Sequence, residues 1–129
     1  NTISWKSVMQ KTVALSTVEA EYLALSDALK EGLWLQQLLM ELKTPSKNII
    51  MFEDNTGTIA IAKNPMNHGR TKHIDVRHHF IREHVMNENV VVKHCPTDKM
   101  IADALTKGLH PNRFKEHRIA MGVVSQGEC

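Results

Sequence analysis

From Ser16 to about Leu42 the chain carries one long helical pattern, and that stretch constrains the fold more than any other. Ser16-Thr17-Val18-Glu19 is a capping box, with Glu19 placed to reach back to the cap. Good helix formers continue to about Leu42, and Pro45 lies just beyond. Ile49-Ile50-Met51-Phe52 is too short and too β-branched for a helix and reads as a strand. Asp54-Asn55-Thr56-Gly57 breaks it, and Ile59-Ala60-Ile61-Ala62 forms a short helix ending before Pro65. After a polar loop, Asn67-His68-Gly69-Arg70, helical spacing of Ile74, Phe80, Ile81 and Val85 predicts a helix from Thr71 or Lys72 to about Met86. Asn87-Glu88-Asn89 then turns the chain into another strand, Val90-Val91-Val92. Thr97 is placed to cap a helix from Asp98 to about Lys107, and a last helix is predicted from Asn112 to Met121. Ahead of the long helix, Ile3-Ser4-Trp5-Lys6-Ser7-Val8 alternates as a half-buried strand does. This order of strand, long helix, strand, helices, strand, helix predicts an α/β domain whose later strands pair in parallel.

The bulk composition excludes several classes. At 129 residues the length suits one domain, and 42% hydrophobic with 23% charged residues is ordinary globular composition. A formal charge of +2 does not mark a nucleic-acid binder by itself. The basic residues Arg70, Lys72, Arg77, Arg82 and Lys93 do fall in one stretch, with His73, His78, His79 and His84. Such a stretch suits either a phosphate-facing surface or a solvated basic helix. Cys95 and Cys129 make no disulfide framework and fit a reducing compartment. The start, Asn1-Thr2-Ile3-Ser4-Trp5, has no signal-like apolar run and no initiator Met, which suggests a piece of something longer. No stretch approaches the roughly 20 apolar residues of a membrane span.

Three acidic residues stand out. On a wheel of about 100° per residue, Glu21 lies in line with Leu25, Ala28, Gly32, Leu35 and Leu39. Glu19 faces away from them, with Lys30, Gln37 and Glu41. A carboxylate on a core-facing stripe must be paired, protonated or bound to a cation; otherwise it sits at the edge of the core near the helix N-terminus. Asp54 shares strand parity with Ile50 and Phe52, so it starts from a buried face at the strand's C-terminal end, where α/β ligand crevices form. The competing reading makes Asp-Asn-Thr-Gly a turn and helix cap. Asp103 lies among Ile101, Ala102, Ala104 and Leu105, with Lys107 placed for an ordinary surface pair. His78, His79 and His84 do not align as a zinc site, the serines lack a nucleophile-elbow context, and no Gly-rich phosphate loop exists.

Together the motifs resemble one family. Ser4-Trp5-Lys6-Ser7, then Gln10 through Ala24 with its Ser-Thr-Val-Glu-Ala-Glu-Tyr element, resemble the RNase H domain of copia-type LTR retrotransposon Pol polyproteins of plant character. Lys30-Glu31-Gly32-Leu33-Trp34-Leu35, Glu53-Asp54-Asn55 and Ala62-Lys63-Asn64-Pro65 continue the likeness. His68-Gly69-Arg70-Thr71-Lys72-His73-Ile74-Asp75, Phe80-Ile81-Arg82-Glu83 and Ile101 through Lys107 complete it, so it runs from about Ile3 to Met121. Val18 and Thr56 depart from the commoner family residues without touching a carboxylate.

The resemblance implies an RNase H-like fold over residues 1–122, with 123–129 a disordered tail. It implies that Glu21, Asp54 and Asp103 are catalytic and bind Mg²⁺, two ions in the intact domain, with Mn²⁺ as a substitute. The implied activity is Mg-dependent hydrolysis of the RNA strand of an RNA–DNA hybrid during reverse transcription. Its partners are the hybrid and the reverse transcriptase region of the same polyprotein, with no membrane and no small-molecule substrate. Its place is an intracellular, cytoplasmic virus-like particle. Relatives carry a first aspartate on an opening strand ahead of the one that starts here at Ile3, and no residue of this chain supplies it. The expectation is therefore an N-terminally truncated domain lacking its first two strands. Its depleted sheet keeps only the parallel pair 49–53 and 89–94 flanked by helices, and the isolated chain has little or no activity. The alternatives are a degenerate, non-catalytic nucleic-acid-binding remnant and a domesticated interaction domain.

Overall fold

The computed structural model describes residues 2–44, 48–64 and 72–124, with side chains from residue 76 onward in the last stretch. Within these the chain forms two compact units: Ala14–His94, and a smaller one made of Asn1–Val13 with Cys95–Cys129.

The larger unit opens with α1, Thr17–Glu41. Ser16 caps it from extended backbone, its Oγ accepting the Glu19 N–H at 3.1 Å. The Glu19 carboxylate reaches back to the N–H of Leu15 at 2.8 Å, one residue before the cap itself. Beyond α1, Lys43 takes a left-handed φ of 56° that turns the chain off the helix axis. Then come β1 (Ile49–Glu53), α2 (Thr56–Lys63), α3 (Lys72–Met86) and β2 (Val90–His94). The strands pair in parallel from Ile49↔Val90 to Glu53↔His94, as the sequence predicts, with α2 and α3 supplying the crossover that parallel pairing requires. The helix predicted around Ile59–Ala62 is longer, because Asn55 caps it.

The sheet is buried on one face. Tyr22, Leu25 and Leu29 of α1, Ala62 of α2 and Ile81 of α3 close over Val90 and Val92, with Ile49 and Met51 packed at the margin. Burying such side chains contributes about 1.5–3 kcal/mol each. Ile50 and Phe52 point the other way and are 51% and 60% exposed. This corrects the expected parity: the residue that continues the buried face is Glu53, not Asp54. Both faces of β1 are equally apolar in sequence, so hydrophobicity could not choose between them; the helices do.

The stripe of α1 also differs from the wheel. Tyr22, Leu23, Leu25, Ser26 and Leu29 are buried, whereas Ala28 is exposed and Leu39 is 38% exposed. The centre of the buried face lies about 100° from Glu21. Only the N-terminal half of the helix is enclosed, and the Leu35 and Leu39 rows that drew the expected stripe lie beyond it.

In the smaller unit, residues 2–13 form no strand, and Ile3, Trp5 and Val8 are 80%, 71% and 66% exposed. The segment is held by the Thr2 N–H on the Met121 carbonyl (3.0 Å) and the Ser7 hydroxyl on the Leu105 carbonyl (2.9 Å). Alternation makes a strand only when an edge is there to pair with. The helix expected over 98–107 is two 3₁₀ turns, Thr97–Lys99 and Ile101–Leu105, because Met100 takes an extended ψ of 97° between them. Thr97 is not their cap. The last helix, α4 (Pro111–Ala120), has Pro in its first turn, where the missing N–H costs nothing. No helix among the described residues is long and apolar enough to cross a membrane. The predicted loop 67–70 and residues 125–129 of the predicted tail lie outside the described residues.

Hydrogen exchange separates these segments: the amides of Val90–His94 are expected to exchange slowly and those of Ile3–Val8 at nearly the free rate. Protection at Ile3–Val8 matching that of β2 would show a paired strand there instead.

Candidate catalytic carboxylates

β1 ends by turning directly into α2, and the turn is built from side-chain acceptors. Glu53, buried at 5% exposure, accepts the Asn55 N–H on Oε1 at 3.0 Å. Asn55 Oδ1 accepts the N–H groups of Gly57 (2.9 Å) and Thr58 (3.2 Å), capping α2. The fully buried Thr58 donates its hydroxyl to the carbonyl of Val18 in the first turn of α1, at 3.2 Å. Gly57 suits this close approach, since a Cβ there would lie 3.0 Å from Val18 Cγ2 and would make that side chain give by a few tenths of an ångström.

Asp54 is held half-buried between Glu53 and Asn55, and Glu21 is half-buried on α1. Their charges are felt at one place. Burial raises the pKa of Glu53 above its ordinary 4.5, and the negative charges of Glu21 and Asp54 raise it further, against the backbone N–H groups of Asn55 and Asp54, which favour the anion. The structure therefore brings Glu21 and Asp54 into the field of one buried carboxylate. Sequence reasoning missed Glu53; the signal was its shared parity with Ile49 and Met51.

Asp103 belongs to the smaller unit and is described by its own surroundings. It is 8% exposed, with Oδ1 2.8 Å from Lys107 Nζ, the pair foreseen from the i,i+4 spacing. Its carbonyl accepts from Thr106 and Lys107.

Two members of the basic stretch, Arg77 and Arg82, serve packing within the larger unit. Arg77 Nη1 binds the Leu23 carbonyl (3.4 Å) and Asp27 Oδ1 (3.3 Å), tying α3 to α1. Burial pushes Asp27 upward, but the Lys30 hydrogen bond and the charges of Arg77 and Lys30 outweigh it and hold its carboxyl below the usual range. The Arg82 Nε is buried without a hydrogen-bond partner. Its charge lowers the pKa of Tyr22, yet burial dominates and pushes that phenol up to about 12. His78 stacks on Tyr22 at 4.1 Å, and His84 meets the edge of Phe80 at 5.0 Å. Lys93 is exposed; Arg70 and the side chain of Lys72 lie outside the described residues.

Carboxylate oxygens are the hard donors that Mg²⁺ or Mn²⁺ prefers. Among the described residues, however, no three His, Cys, Asp or Glu side chains are gathered closely enough to hold a metal ion. Glu21, Glu53 and Asp54 share a field without forming a coordination shell.

The chain is 45% identical over 123 residues to the retrovirus-related Pol polyprotein from transposon TNT 1-94 of Nicotiana tabacum, covering 95% of this chain and 9% of that protein. The corresponding polyprotein from transposon RE1 of Arabidopsis thaliana is 37% identical over 122 residues, 94% of this chain and 8% of its own length. That from transposon RE2 of the same plant is 37% identical over 123 residues, 95% of this chain and 8% of its own length. The homologues are plant retrotransposon Pol polyproteins. The chain spans less than a tenth of their length. No protein-family model matches it, and no solved structure does.

The raised pKa of Glu53 sets a pH dependence. For a carboxyl raised in the fold, the stabilising contribution is complete below the unfolded value near 4.5 and is lost as pH rises through the folded pKa. Urea denaturation over a pH series is expected to show Glu53→Gln gaining stability relative to the parent chain as pH rises through that window. A pH-independent difference would mean that Glu53 titrates as an ordinary carboxylate.

Proposed function

We propose that this chain is the C-terminal part of an RNase H domain within a retrotransposon Pol polyprotein, and that the intact domain hydrolyses the RNA strand of RNA–DNA hybrids. Glu21, Asp54 and Asp103 are its catalytic carboxylates in this reading. The observation that carries it is that Glu53, buried at the C-terminal end of β1 where α/β folds build their sites, feels the negative charges of both Glu21 and Asp54. Glu21 and Asp54, 33 positions apart in sequence, both bear on that one carboxylate of the larger unit. Asp103 enters by resemblance alone; it is buried and paired with Lys107 in the smaller unit.

The reading carries a need for Mg²⁺, or Mn²⁺ in its place, because a polyanionic substrate and clustered carboxylates repel one another without a cation between them. It makes an RNA–DNA hybrid and the reverse transcriptase region of the polyprotein the partners, with a cytoplasmic virus-like particle as the setting. Recognition of the hybrid rests on shape and 2′-hydroxyls rather than on sequence.

One observation favours a second reading, a non-catalytic nucleic-acid-binding remnant: the absence, among the described residues, of a three-donor metal cluster. A chimera decides between them. This chain replaces the matching stretch of the TNT 1-94 polyprotein, and cleavage of a labelled RNA–DNA hybrid is followed with Mg²⁺. The nuclease reading expects cleavage, lowered by about 100-fold or more in Glu21→Gln and Asp54→Asn. A chimera that binds hybrid without cutting it, while the unaltered polyprotein cuts, supports the remnant.

A further inference from the structure

Glu53 has no role in the motif-based reading, yet its carboxylate is the first link of an unbroken chain of contacts between β1 and α1. It accepts the Asn55 N–H at 3.0 Å; Asn55 accepts from Gly57 and Thr58 at 2.9 and 3.2 Å; Thr58 donates to the Val18 carbonyl at 3.2 Å. Val18 lies just under one turn before Glu21. Asp54 is the residue enclosed by the first link. Three of these partners leave little room to move: Glu53 is 5% exposed, Thr58 is 0% exposed, and a Cβ on Gly57 would lie only 3.0 Å from Val18 Cγ2.

We propose that Glu53 is a positioning residue, whose carboxylate brackets the Asp54–Asn55 turn and so fixes Asp54 against the first turns of α1 that carry Glu21. The proposal rests on the reading of Glu21 and Asp54 as the site. A glutamate here burdens that site with a third negative charge, so its use calls for a return. The return is the acceptor geometry: a side chain of this length, starting from the buried face of β1, reaches the N–H two residues on. A glutamine keeps that oxygen and loses the charge; an alanine loses both. Asn55 and Thr58 pass the constraint from the strand end to α1, so the bracket works only as a whole.

The test is a comparison of Glu53→Gln, Glu53→Ala and Thr58→Val with the parent chain by NMR, with two readouts. The first is amide exchange at Asn55, Gly57 and Thr58. Protection is expected to be kept in Glu53→Gln and to fall roughly tenfold or more in Glu53→Ala, the loss of one charge-assisted hydrogen bond. The second is line broadening of the Glu21 and Asp54 amides by Mn²⁺. The concentration needed is expected to stay within about threefold in Glu53→Gln and to rise about tenfold in Glu53→Ala and Thr58→Val. Rescue by glutamine is the result that a merely space-filling glutamate would not produce. Equal loss in Glu53→Gln and Glu53→Ala, or unchanged protection in both, overturns the proposal. If Mn²⁺ broadens neither amide in the parent chain, the reading of the site as a metal-binding one fails, and the exchange pattern still decides whether the bracket exists. If Glu53→Ala does not fold, Thr58→Val interrupts the same chain at its other end and decides in its place.

Discussion

The larger unit depends on a two-stranded parallel sheet that has only one covered face. Two five-residue strands cannot stand alone, and their stability comes from the helices laid across Val90, Val92 and the inward residues of β1. Because the cover lies on that side, the alternation of β1 delivers Ile49, Met51 and finally Glu53 inward. The strand ends on a buried charge. A carboxylate in that position is costly unless its oxygens are satisfied, and the turn into α2 supplies the N–H groups that satisfy it. The local geometry of the site follows from this constraint.

The same arrangement sets up an electrostatic tension. Backbone N–H groups stabilise the ionised Glu53, while burial and the charges of Glu21 and Asp54 oppose it, and the opposition prevails. A fold selected only for stability has no use for three carboxylates in one field. The proposed function gives such a group of carboxylates a use.

How much was legible in the sequence depended on how local each signal was. The Ser16 cap and the Glu19 return contact involve residues a single turn apart and were readable, as was the β-branched run that became β2. The parallel pairing followed from the order of elements. The facing of β1 was not legible, because Ile50 and Phe52 are as apolar as Ile49 and Met51, and only the helices above distinguish them. Ile3–Val8 has the alternation of a strand but no edge to meet, and the break at Met100 leaves no compositional mark. Glu21 was singled out through a stripe that includes the exposed Leu39, whereas it sits half-buried at the rim of the buried face and not at its centre. Asp103 carried no strong signal of its own beyond the motif around it.

The proposed function requires Glu21 and Asp54 to meet at the end of β1. Carbon-detected NMR titration of the Glu53 side-chain carboxyl reports that meeting from within. The midpoint is expected above the ordinary value of 4.5 in the parent chain, and to fall when either Glu21→Gln or Asp54→Asn removes a neighbouring charge. A midpoint at the ordinary value, or one indifferent to both substitutions, would mean that the carboxylates do not share a site.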